Sequence, residues 1–91
     1  MISLKKFYLN KEKLNNRVCI APMCQYSANN GNPSNWHYSH LTKLMQAGSG
    51  LLMIESTAVS KEGMISKKDL ALKDKKNFIE FKNLFNHLKK I

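Results

Sequence analysis

Two continuous apolar runs divide the chain, and each predicts a strand that is covered on both faces. The first run is residues 18–21, and Pro22 ends it because proline cannot donate to a central strand ladder. The second predicted strand is residues 50–59, whose part from 51 to 54 is continuously apolar. Strands buried on both faces are typical of parallel sheets that have helices on either side.

Helical spacing of apolar residues predicts a helix after each strand. The first helix covers residues 36–47, with Ser34 or Asn35 as its N-cap and Gly48 as the stop beyond its end. The second covers residues 74–91, and its first residue, an aspartate, is a good N-cap. Its apolar stripe lies at positions 78, 81, 84, 85, 88 and 91.

A short hairpin is predicted before the first strand, and loops are predicted at residues 27–35 and 60–73. The hairpin turn lies at residues 10–12. Its apolar positions are Leu4, Phe7 and Leu9 on one side and Leu14 on the other. The order hairpin, β, α, β, α contains one βαβ unit with its right-handed crossover. Because two parallel strands do not make a stable sheet, we expect the opening quarter of a larger α/β protein.

The net charge is strongly positive, at +9 from 15 Lys+Arg and 6 Asp+Glu. Nucleic-acid binders usually cluster their basic residues and use arginine for bidentate contacts. Here Arg17 is the only arginine, and the lysines are spread along the whole chain. We therefore expect solvated lysine faces and no nucleic-acid partner.

Neither a membrane segment nor a disulfide is expected. The most apolar stretch, near residues 44–54, is too short to span a bilayer and contains two glycines. The N-terminal lysines are not followed by the apolar segment of a signal peptide. Cys19 and Cys24 would lie about 16 Å apart in an extended strand, so we expect reduced thiols and a cytoplasmic location.

Functional side chains follow both predicted strands. Met23, Cys24, Gln25 and Tyr26 come after the first strand, and residues 55–57 end the apolar run of the second. In a parallel sheet these two sets lie side by side on one rim, where α/β enzymes place their chemistry. The alternative is packing alone, with Met23 and Tyr26 filling the rim and Cys24 acting as a small buried hydrophobe.

Three titratable residues near this rim are open to more than one interpretation. His37 and His40 are spaced to share a helix face and could bind a metal, but no further ligand is well placed, which favours packed histidines. Glu55 lies in an apolar run and needs a partner, for which Arg17 or a lysine is predicted. A structural ion pair is favoured over a general base because no paired acid is visible.

Three segments of the chain resemble the old yellow enzymes. They are N-N-R-V-C-I-A-P-M-C-Q-Y-S-A, G-N-P-S-N-W-H-Y-S-H and A-G-S-G-L-L-M-I-E-S-T-A-V-S-K-E-G-M-I-S. In this combination they are similar to the start of the bacterial, thermophilic-like subgroup of NADPH dehydrogenases and xenobiotic reductases. The resemblance covers residues 4–91.

The resemblance implies a TIM (β/α)8 barrel that binds FMN and uses NAD(P)H to reduce C=C bonds of α,β-unsaturated carbonyls. Residues 1–91 would be its N-terminal portion, an incomplete barrel of a hairpin and two βα units. Cys24 would tune the flavin potential, and Tyr26 would contact the enone substrate. Ser56 stands where the subgroup commonly has alanine. The residues that would line the flavin are Ala21, Pro22, Met23, Cys24 and Ser56.

The resemblance also implies that most of the active site lies beyond residue 91, so no catalytic residue is expected within this chain. The family's phosphate site, substrate-anchoring histidines and flavin-contacting arginine would all come later. One hypothesis is therefore the N-terminal part of an FMN-dependent oxidoreductase, whose full-length relatives would form homo-oligomers. The alternative is a non-catalytic remnant or interaction module that needs a companion chain to complete its sheet.

Overall fold

Short strands alternate with two helices in a computed structural model that describes residues 1–91. A single 3-10 turn, Ile2–Leu4, precedes them. The strands are β1 (Phe7–Leu9), β2 (Glu12–Leu14), β3 (Cys19–Ile20), β4 (Leu51–Leu52), β5 (Thr57–Ala58) and β6 (Leu70–Ala71). The helices are α1 (Asn35–Gln46), between β3 and β4, and α2 (Lys75–Leu88), after β6. Neither helix has the length and apolar character needed to cross a membrane.

The N-terminal hairpin is confirmed. Strands β1 and β2 pair antiparallel, with Phe7 opposite Leu14 and Leu9 opposite Glu12. The turn therefore has two residues, and Asn10 takes a left-handed backbone (φ +55°), which asparagine tolerates better than most residues. Leu4 was expected on the first hairpin strand, but it ends the 3-10 turn instead.

The βαβ unit is also confirmed. Strands β3 and β4 pair in parallel, with Cys19 opposite Leu51, and α1 forms the crossover between them. The helix begins after Ser34, whose Oγ accepts a hydrogen bond from the Trp36 backbone N–H at 3.2 Å. Gly48 lies just beyond its C-cap residue with φ +87°. Both ends of α1 therefore lie where Ser34 and Gly48 predicted them.

The expectation that the first strand is buried on both faces is wrong for this chain. Val18 is 43% exposed, Cys19 and Ala21 are exposed, and Ile20 is half-buried. The reason is that β3 has one neighbouring strand, β4, and the two form a sheet of only two strands. An apolar run predicts burial only where further strands and a second helix layer are present.

The second predicted strand and the loop after it also differ from expectation. Residues 50–59 divide into β4 and β5, and the predicted loop 60–73 contains β6. Strand β6 pairs in parallel with β5, with Thr57 opposite Leu70 and Ala58 opposite Ala71. Leu70 and Ala71 are fully buried, so tertiary packing makes a strand from a segment whose sequence is dominated by lysine and turn formers.

Helix α2 buries only half of the predicted stripe. Phe81, Leu84 and Leu88 are buried, as expected, and they divide between two small core clusters. The other stripe positions are exposed; they are Phe78, Phe85 and Ile91. Asn77 is buried in their place, and its side-chain amide donates to the Asn30 carbonyl and to the Asn32 side-chain oxygen. A buried amide needs such partners, and the loop before α1 supplies them.

Replacement of Gly31 with alanine is expected to destabilise the fold by about 2 kcal/mol or more. Gly31 has φ +83°, and a Cβ there would lie 2.9 Å from Ala71 Cβ and 3.1 Å from Asn77 Nδ2. Gly48→Ala is the matched control, because Gly48 has φ +87° but no atom within 4 Å of a built Cβ. Chemical denaturation of both variants measures the difference, and equal losses would contradict the steric argument.

Acid is expected to weaken the fold through two carboxylates. The Ser66 hydroxyl hydrogen bond lowers the pKa of Asp69 below its ordinary value of 3.8, and the Asn77 backbone N–H lowers the pKa of Asp74, the N-cap of α2. A carboxyl whose pKa falls on folding stabilises the fold only while it is ionised. That stabilisation is present above pH 3.8 and is lost as the pH falls through the lowered pKa.

Denaturation midpoints measured between pH 6 and about pH 2 check this expectation. Asp74→Asn keeps a good N-cap but removes the titrating group, so its stability should change less steeply with acid. Identical pH profiles for Asp74→Asn and the unsubstituted chain would rule out the contribution of Asp74.

Candidate functional site

The carboxyl ends of β3 and β4 meet, as expected for parallel neighbours. The pairing extends one step past the strands, where the Met53 backbone N–H donates to the Ile20 carbonyl at 3.3 Å. Residues 21–26 follow β3, and residues 53–56 follow β4; we call these two segments together the rim. The predicted flavin residues all lie on it, and they are Ala21, Pro22, Met23, Cys24 and Ser56. Their contact with a flavin stays a prediction.

The exposed side of the rim is uncharged and mostly apolar. Met23 is 67% exposed, Ala21, Pro22 and Ser56 are also exposed, and the Cys24 thiol is half-buried. The rim's carboxylate, Glu55, is buried and therefore does not contribute to this surface. A flat, largely apolar ring system that carries polar edge atoms fits such a surface.

Tyr26 lies at the end of the first rim segment in an unusual backbone conformation. Its φ is +51°, in the left-handed region that a bulky residue rarely adopts, and its side chain is 54% exposed. Strain of this kind costs about 1–3 kcal/mol and persists only where the surrounding structure holds the chain in place. The rim segment must therefore be fixed by other contacts.

Glu55 provides one of these contacts. The residue is 8% exposed, and its Oε2 accepts the Gln25 backbone N–H at 3.0 Å. Its Oε1 lies 2.9 Å from His37 Nε2, at the first turn of α1. The predicted partner, Arg17 or a lysine, is wrong: the Arg17 guanidinium lies 5.0 Å from the Phe7 ring centroid. Folding of α1 over the rim brings His37 to Glu55 instead.

The hydrogen-bond pattern defines the state of the His37–Glu55 pair. The Ser34 backbone N–H can only donate, and it donates to His37 Nδ1 at 3.0 Å. Nδ1 therefore carries no proton, so the ring is neutral and its single N–H is on Nε2. That N–H donates to Glu55 Oε1, and both Glu55 oxygens therefore face donors, the pattern that an ionised carboxylate satisfies. The contact is a buried hydrogen bond, whereas an ion pair was predicted.

Gln25 completes the support of the rim, and its role was missed from the sequence. Its side-chain Nε2 donates to the Met23 carbonyl at 2.9 Å, and its Oε1 accepts from Trp36 Nε1 at 2.9 Å. The sequence carried no signal for this contact, because an exposed indole N–H can also donate to water. We call this group the Glu55 network; its members are Gln25, Ser34, Trp36, His37 and Glu55.

His37 and His40 differ in their surroundings. His37 is 1% exposed and belongs to the Glu55 network, which confirms the prediction of a packed histidine at this position. His40 is half-buried and stacks on Trp36, with ring centroids 5.7 Å apart and planes 12° from parallel. No group of three or more His, Cys, Asp or Glu side chains comes together in this chain.

The cavities near the rim limit where a flavin could lie. The cavity lined by rim residues and by His40, Leu41 and Leu44 of α1 has a volume of only about 90 Å³. That space is too small for a tricyclic ring. The largest cavity, about 520 Å³, is lined by Asn30, residues of the loop before β6 and Lys73, and shares no residue with the rim. Neither of these two cavities gives a flavin ring an enclosed site at the rim.

Comparison with known proteins supports one family. Residues 5–91 match the model of the NADH:flavin oxidoreductase / NADH oxidase family. An NADH:flavin oxidoreductase of Gibberella zeae is 47% identical over 57 residues, which are 63% of this chain and 14% of that protein. An NADPH dehydrogenase of Bacillus cytotoxicus is 41% identical over 68 residues, covering 72% of this chain and 20% of that protein. An NADPH dehydrogenase of Listeria welshimeri is 34% identical over 85 residues, which are 91% of this chain and 25% of that protein.

Solved structures show the same fold. Morphinone reductase superposes with a TM-score of 0.85 at 17% identity, covering 97% of this chain and 23% of that protein. The old yellow enzyme from Trypanosoma cruzi superposes with a TM-score of 0.85 at 18% identity, covering 98% of this chain and 24% of that protein. The hairpin and the two βα units therefore have the fold of an incomplete TIM barrel.

This chain spans between 14% and 25% of the length of the three relatives. The family match, in contrast, includes all but the first four residues of the chain. The chain therefore belongs to the NADH:flavin oxidoreductase / NADH oxidase family, that of the old yellow enzymes.

Proposed function

We propose that this chain supplies one wall of the FMN site in an NAD(P)H-dependent oxidoreductase that reduces C=C bonds of α,β-unsaturated carbonyls. The observation that carries the proposal is the uncharged, exposed rim at the joined ends of β3 and β4, in a chain of this family. FMN, when bound, would carry the hydride from NAD(P)H to the substrate.

The residues of the rim have separate roles in this proposal. Ala21, Pro22 and Met23 present small or flat apolar groups that would pack on the ring and exclude water from it. The Cys24 thiol is a weak hydrogen-bond donor that would influence the potential of the ring beside it. Ser56 would offer a hydroxyl to a polar edge atom, and the Tyr26 phenol would donate to the carbonyl of the substrate.

We assign no catalytic residue to these 91 residues. The groups named above bind and orient, and a flavin phosphate needs anion-binding groups that the rim does not offer. A flavin held by this wall alone would bind weakly. Both cysteines are free thiols, in keeping with an enzyme that acts in the cytoplasm.

A second candidate function is an interaction module without catalysis. The observation that favours it is the number of open strand edges and exposed apolar side chains. All three sheets have two strands, and Val59 and Ile65 are each 81% exposed. Such surfaces are typical of a chain that pairs with another polypeptide. The occupant would be a companion chain that adds strands beside β3 or β4.

FMN is expected to protect Cys24 from alkylation and to leave Cys19 unprotected. Both thiols are free, and they lie five positions apart, but only Cys24 is on the rim. At an FMN concentration of ten times Kd, the iodoacetamide reaction at Cys24 should slow about tenfold, because about one molecule in ten remains free. Peptide mass spectrometry measures both rates in one sample, and Cys19 is the internal control. Equal rates with and without FMN at Cys24 would contradict flavin binding on the rim.

Complementation separates the two candidate functions. The segment of the Bacillus cytotoxicus NADPH dehydrogenase that matches this chain would be deleted. The shortened dehydrogenase would then be co-expressed with this chain. An FMN-site wall should restore a yellow complex that oxidises NADPH in the presence of 2-cyclohexenone. A colourless, inactive complex would favour the interaction module, and the shortened dehydrogenase alone is the control. Failure of the two chains to associate would contradict both.

A further inference from the structure

The rim segment after β3 is held in a conformation that its own sequence does not favour. Tyr26 is left-handed, and nothing in its side chain relieves that strain. The residue immediately before it, Gln25, donates its backbone N–H to the buried carboxylate of Glu55. The constraint is thus applied one residue before Tyr26, at the Cys24–Gln25 peptide, by a side chain from the segment after β4.

Resting on the proposed function, we propose that Glu55 is a positioning residue of the flavin wall. Its carboxylate fixes the main chain of residues 23–26, so that the Cys24 thiol and the Tyr26 phenol are presented to FMN and to the substrate. His37 fixes the carboxylate in turn. Neither residue touches the ligands in this role.

Glu55 is suited to this role because its two oxygens join three elements. One oxygen binds the segment after β3, the other binds the first turn of α1, and the residue itself follows β4. Its side chain is 4% exposed, so water does not compete for either oxygen. A hydrogen bond to a buried carboxylate is stronger than one to a neutral acceptor, which makes Glu55 able to hold a strained neighbour.

His37 cannot adapt to a change at Glu55. Its Nδ1 must accept from the Ser34 backbone N–H, so its Nε2 must remain a donor. Two fixed donors therefore point at residue 55, namely His37 Nε2–H and the Gln25 backbone N–H. A carboxylate satisfies both donors. A glutamine at this position offers one oxygen and one NH2 group, so one donor would face another donor.

The experiment compares Glu55→Gln with Glu62→Gln in the full 91-residue chain. Glu62 is exposed on the loop after β5, so its substitution removes the same charge without changing the network. The first readout is the intraresidue HN–Hα NOE of Tyr26, which is strong for a left-handed residue. The second is FMN affinity, measured by quenching of FMN fluorescence.

In Glu55→Gln we expect the strong Tyr26 NOE to disappear and the FMN Kd to rise about tenfold or more, since a buried donor loses its acceptor. Glu62→Gln should change neither. His37→Gln, which keeps a donor that can reach Glu55, should retain more of the FMN affinity than His37→Ala. A Glu55→Gln chain with native helices, an unchanged Tyr26 NOE and unchanged FMN affinity would overturn the proposal.

Two further outcomes are decided separately. If the unsubstituted chain binds no FMN, flavin binding by the wall alone fails, complementation with the shortened dehydrogenase decides the proposed function, and the Tyr26 NOE still decides whether Glu55 positions the rim. If Glu55→Gln does not fold, the unsubstituted chain decides the question by NMR. A scalar coupling across the hydrogen bond between the Gln25 nitrogen and the Glu55 carboxyl carbon supports the proposal, and its absence overturns it.

Discussion

The rim depends on one buried carboxylate with two donors. Glu55 is charged and almost without contact with water, a state that costs several kcal/mol unless both oxygens are satisfied. His37 and the Gln25 backbone satisfy them, and no buried side-chain polar atom in the chain lacks a partner. Because those donors lie on α1 and on the segment after β3, the same contacts join the helix to both strands. The geometry of the candidate site follows from that electrostatic requirement.

The rest of the fold shows how little apolar core supports this arrangement. The two core clusters contain three buried residues each, and partly buried side chains such as Ile54 connect them to the strands. A chain of this size buries a smaller share of its surface than a large domain does. Polar interactions add to this core: Asn77 hydrogen-bonds the loop before α1, and Asp69 caps the turn before β6.

Sequence patterns predicted the elements with strong local signals and failed where distant residues decide. Ser34, Gly48 and Asp74 marked helix ends correctly because caps act within one turn. Strand β6 was missed, since its two residues become a strand only by pairing with β5. The partner of Glu55 was predicted wrongly because the sequence shows that a buried carboxylate needs donors but does not show which donors lie nearby. The predicted apolar stripe on α2 was partly wrong for the same reason, since Asn77 is buried against Asn30, which lies 47 positions earlier in the chain.

By itself the sequence determined the hairpin, the βαβ unit, the two helices, the family and the residues placed on the rim. These follow from short-range signals: apolar runs, caps, the position of Pro22 and the motif around Cys24. Only the tertiary structure decided that His37 is neutral and donates to Glu55, that Gln25 fixes the rim, and that Tyr26 is left-handed. The physical reason is that protonation states and strained backbones depend on which groups meet in three dimensions. Spacing along the chain does not encode those meetings.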